Sequence, residues 1–133
     1  MREVIKTKAS SVFFDDHGLL HIVANGTPST EETVKETFAA ARSLAAHPIP
    51  TLFDARKWPI GGPDFWVAFI DALPSVVSAG AILIETDASA ELGGFPRAVN
   101  RLMVPFEVFT SEEEAIAFLL RYVHLSGDVD PEG

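Results

Sequence analysis

Apolar positions change period along the chain, and each change marks an element. Ser11-Val12-Phe13-Phe14-Asp15 is a short apolar run that predicts a strand. Asp15-Asp16-His17-Gly18 is turn chemistry, with glycine available where φ must be positive. Leu19 to Ala24 predicts the return strand, so the chain opens with an antiparallel hairpin closed off by Asn25-Gly26-Thr27-Pro28. Val34, Phe38, Ala41 and Ala45 then recur at helical spacing, with Leu44 beside them. They predict one amphipathic helix from Thr30 to Ala46, with Ser29 as N-cap and Glu32 completing a capping box. His47-Pro48 ends it.

Thr51 to Asp54 predicts a short buried strand, followed by a loop from Ala55 to Pro63. Asp64 to Leu73 predicts a second helix that starts after Pro63 and stops at Pro74. Ala81-Ile82-Leu83-Ile84-Glu85 is a continuous apolar run, the pattern of a strand covered on both faces. A third helix is expected between Asp87 and Met103, clearest from Pro96 onward, after the break at Gly93-Gly94. Pro105 to Phe109 predicts the last strand, and Thr110 or Ser111 caps a final helix from Glu112 to about Val123. The order is β-β-α-β-α-β-α-β-α. Alternating strands and helices imply an α/β fold with a mixed, largely parallel sheet, the hairpin adding an antiparallel edge. One domain over 1–125 is expected, with an acidic, mobile tail at 126–133.

Charge narrows the function classes. Ten Lys and Arg face nineteen Asp and Glu, a net charge of −9 at pH 7. Such a surface argues against nucleic acid and against docking on anionic lipid. No cysteine is present, which removes disulfides, thiolate chemistry and cysteine-type metal sites. The longest uncharged apolar-rich stretch, Leu73 to Ile84, falls well short of the ~20 residues that span a bilayer. The first residues have charges but no apolar core of a secretory signal, so a cytoplasmic protein is expected.

The hairpin from Val12 to Ala24, the early amphipathic helix and the strand ending in Asp54 carry a resemblance, together with the close from Phe109 to Leu119. In this order of elements, over roughly Val12 to Leu120, the chain resembles the SpoIIAA-like proteins. These are mostly uncharacterised bacterial relatives of the STAS domain found in anti-sigma-factor antagonists and sulfate-transporter tails. The resemblance implies a SpoIIAA-like fold and a regulatory module that works by protein contact. In the antagonists a phosphorylated serine follows the strand-ending Asp by two residues. Here that stretch reads Asp54-Ala55-Arg56, and no Ser or Thr occurs from Phe53 to Leu73. A phosphoserine switch at that spot is therefore not expected.

No catalytic constellation stands out. Gly61-Gly62 and Gly93-Gly94 lack the spacing of a phosphate or dinucleotide loop, and no two of His17, His21, His47 and His124 have metal-ligand spacing on a helix. No cofactor, metal or catalytic residue is expected. The bases are more informative: Arg56 and Lys57 follow one strand, while Arg97 and Arg101 follow another. Ligands of open parallel sheets bind beyond the carboxyl ends of the strands, so these four residues are the candidate anion site. The competing reading pairs them with Asp54, Asp64, Glu85 and Asp87 as surface ion pairs.

The segment from Trp58 to Leu73 is the oddest feature. Trp66, Phe69, Ile70 and Leu73 form one helical face, and Phe65 and Val67 flank it. One sheet-facing stripe cannot hide them all, which makes Trp58, Phe65, Trp66 and Val67 candidates for a homodimer interface. The other readings are cover by a neighbouring helix, or the wall of an apolar pocket. Two functions therefore stay open: a non-catalytic protein-binding module acting as a homodimer, and a carrier or sensor of a small apolar or anionic ligand.

Overall fold

The computed structural model describes residues 3–27, 30–45, 47–57, 63–85 and 104–127, with backbone alone for 63–66 and 124–127. Strands β1 (Val4–Lys6), β2 (Ser10–Phe14), β3 (Leu20–Ala24), β4 (Ile49–Asp54), β5 (Val77–Leu83) and β6 (Phe106–Phe109) form one sheet in sequential order. β1, β2 and β3 pair antiparallel, and β3 to β6 pair parallel. The helices are α1 (Glu31–Leu44), α2 (Pro63–Ala72), extended by a 3₁₀ turn at Leu73–Ser75, and α3 (Glu112–Gly127). The chain is thus a small α/β domain with a mixed sheet, as the alternating pattern predicts.

Register explains the layers. One row of facing residues reads Ile5, Val12, Ile22, Phe53, Ile82 and Val108 across all six strands. It is apolar throughout, and α1 and α2 pack on it to form the larger core with Phe38, Ala41, Phe69 and Leu73. Crossovers that step to the next parallel strand in one direction keep their helices on one face. α3 follows the last strand and takes the opposite face, where Ala115 and Leu119 meet Leu52, Ala79, Ala81 and Leu83. The alanines of β5 let that helix approach closely.

Three local differences from the sequence reading have physical causes. β1 went unforeseen because three residues carry no period, and its Lys6 is the kind of charge that edge strands use to discourage pairing. The N-cap of α1 is Thr30, not Ser29. Thr33 N donates to Thr30 Oγ1 at 3.2 Å and Thr30 N donates to Thr33 Oγ1 at 2.8 Å, so a hydroxyl does the work expected of Glu32. β5 begins at Val77, ahead of the apolar run, and includes Gly80. A methyl group at Gly80 would run into the ring of Phe106, so this glycine is a packing requirement inside a strand.

β4 also begins earlier than expected, at Ile49, and contains Pro50. Proline cannot donate to a ladder, and the register slips between Ile49 and Pro50. Ile49 faces Val77 and Pro50 faces Ala79, so Ser78 is the extra residue of a bulge. α3 runs through Gly127, two residues into the stretch expected as a tail. The helix expected within 87–103 lies outside the described residues.

Candidate functional site

The carboxyl end of β4 delivers Asp54 to the rim of the sheet, and the turn that follows brings Arg56 back onto it. Arg56 Nη2 donates to Asp54 Oδ2 at 2.6 Å and Nε to Oδ1 at 3.0 Å, a two-pronged clamp. The same Nη2 lies 3.6 Å from Glu112 Oε1, at the start of α3. Burial raises the Asp54 carboxyl, but the side-chain bond from Arg56, its backbone N–H and its charge outweigh that and hold the group below its ordinary value. Two carboxylates thus share the guanidinium of Arg56. Arg56 is half-exposed, so the pair contributes about 0–1 kcal/mol. Lys57 is exposed in the adjoining turn. Arg97 and Arg101 lie outside the described residues, so the four bases are not brought together by what the structure describes.

A second polar cluster sits in the β2–β3 hairpin. Asp15 Oδ1 accepts from the backbone N–H of His17 at 2.8 Å and of Leu19 at 3.0 Å. Its Oδ2 lies 2.7 Å from His21 Nε2. The alternation of β3 puts His21 on the opposite face from Leu20 and Ile22, where its ring stacks on Phe13 with centroids 4.9 Å apart. Burial again raises the Asp15 carboxyl, and the bonds from His21, Leu19 and His17 more than reverse it. Sequence reading missed this clasp; its one available signal was the hairpin register, which sets Phe13 beside His21. Among the described residues no group of three metal-ligating side chains forms. No helix among them is long and apolar enough to cross a membrane.

A cleft of about 40 Å³ lies between α1 and the sheet, walled by Ile22, Val34, Phe38, Phe53 and Phe69. Its polar lining is Ser10, Thr33, Thr37 and Asp54, and Ser10 Oγ sits 2.8 Å from Thr37 Oγ1 and from Thr7 Oγ1 behind it. At roughly 10–15 Å³ per water it takes about three waters, far below the ~150 Å³ that admits a benzene ring.

Of the interface candidates, Val67 is 61% exposed on the outer side of α2, while Phe69 and Leu73 of the same segment are buried. Trp58 and the side chains of Phe65 and Trp66 lie outside what is described. Val67 lines a surface groove of about 370 Å³ between α1 and α2, with Glu31, Lys35, Ala68, Asp71 and Ala72. Helical spacing foresaw the outward Val67. It gave no sign of the groove, which depends on how α1 and α2 lie together.

Residues 12–123 match a family described as a domain of unknown function, DUF7793, and the chain belongs to that family. Among curated proteins none matches it.

Proposed function

We propose that this protein is a non-catalytic regulatory module that binds protein, working in the cytoplasm as a homodimer through the outer side of α2. The reading keeps the SpoIIAA-like resemblance and its mode of action by contact. One observation carries it: Val67 exposes most of a large apolar side chain on a helix whose Phe69 and Leu73 are already committed to the core. Leaving such a side chain in water forgoes ~1.5–3 kcal/mol that burial against a partner recovers. The resemblance would put a phosphoserine where Arg56 stands, and Arg56 is clamped by Asp54. Contact here then depends on shape and fixed charge.

A second reading, a carrier of a small ligand, is favoured by the cleft beneath α1. Its size limits the cargo to a few heavy atoms. Native mass spectrometry of freshly purified protein separates the two. A dimer mass without added small molecule supports the binding module. A monomer holding a small molecule overturns it in favour of the carrier.

A further inference from the structure

The groove between α1 and α2 carries an unequal charge set. Lys35 Nζ pairs with Glu31 Oε2 at 3.0 Å, one helical turn away on α1. Asp71, exposed on α2 across the same groove, has no cation within 4 Å among the described residues. Two carboxylates and one ammonium thus surround a floor of Val67, Ala68 and Ala72. The floor is small and apolar, so another helix can approach it closely, and the rim holds both signs of charge.

From this we infer that the occupant of the groove is a second copy of the same chain, with Lys35 of each copy facing Asp71 of the other. A twofold contact is self-complementary, so one unlike pair across the groove becomes two pairs across the interface. Val67 of each copy is covered at the same time, and Asp71 gains the cation it lacks among the described residues. Asp71 needs a cation from its partner, and a second copy brings one in its own Lys35. The inference rests on the homodimer proposed above and adds where and how the copies meet.

Charge reversal tests it. The variants are Lys35→Glu and Asp71→Lys, both exposed positions, with circular dichroism confirming that each folds. Dimerisation is read by sedimentation of the wild type, of each variant alone and of the two mixed one to one. Each variant alone places like charges at both contacts and is expected to dimerise about tenfold more weakly than wild type. The mixture restores both unlike pairs in a heterodimer, expected at near wild-type strength. Restoration in the mixture is a readout that mere damage to α1 or α2 cannot mimic. A wild-type dimer whose single variants are unaffected, or whose mixture is not restored, overturns the groove contact and leaves self-association elsewhere on the surface. A wild type that stays monomeric at ~100 μM, above the micromolar range of weak complexes, overturns the groove contact and the homodimer together.

Discussion

Asp15 ties the β2–β3 hairpin at three points: the backbone N–H groups of His17 and Leu19, and the ring of His21. Replacing it by Asn keeps the size but loses the charge that strengthens all three bonds. Asp15→Asn is expected to cost about 1–3 kcal/mol at pH 7, read by urea denaturation. The sign of the pH effect follows from the lowered carboxyl. A group whose pKa falls on folding adds stability above its unfolded value, near 3.9 for Asp, and loses it as pH falls through the folded value. Asp54 acts in the same direction. Wild-type stability is therefore expected to fall on acidification below about pH 4, and to fall less steeply in Asp15→Asn. An equal acid slope in the two proteins would show that the clasp is not formed. Ser78 gives the opposite kind of expectation. Its hydroxyl is buried at the β5 bulge with no hydrogen-bond partner among the described residues. Ser78→Ala removes the orphan and is expected to be neutral or to stabilise by about 1 kcal/mol in the same denaturation assay.

At the scale of elements, α1 is held by its aromatic contacts. Phe38 is 1% exposed and meets Phe69 edge-on at 5.5 Å and Phe53 at 6.2 Å. Phe38→Ala should cost about 3–5 kcal/mol and lower the thermal midpoint accordingly. A loss under 1 kcal/mol would mean that α1 does not seat on the sheet as described. The positions that make this core were legible in the sequence, because Val34, Phe38 and Ala41 repeat at helical spacing and Ile82 and Leu83 lie in an unbroken apolar run. What was not legible depends on partners far away in sequence. Gly80 reads as a break until Phe106 is laid across it, and β1 has meaning only once β2 is beside it. The predicted strand begins only after Pro50, yet a bulge at Ser78 lets Pro50 sit inside a central pair. Of the candidate site, the pairing of Arg56 with Asp54 was among the surface ion pairs the sequence offered, while the approach of Arg56 to Glu112 required α3 to return to the rim.

Among the described residues, buried clusters lie on both faces of the sheet while Val67 on α2 stays exposed. Both faces of the sheet have helices, and the larger core draws on every strand. The −9 charge keeps such a chain dispersed, so association has to come from a local patch and not from general stickiness. In the proposed homodimer Val67 supplies that patch, and the rim charges of its groove supply direction. In the homodimer proposed above, this side of α2 joins two copies. Sedimentation equilibrium of wild type and Val67→Glu, from about 1 to 100 μM, tests it most directly, since weak complexes dissociate in the micromolar range. The wild type is expected to pass from monomer to dimer over that range, while Val67→Glu stays monomeric with an unchanged circular dichroism spectrum. A wild type that is monomeric throughout, or a Val67→Glu variant that dimerises as wild type does, would contradict the account.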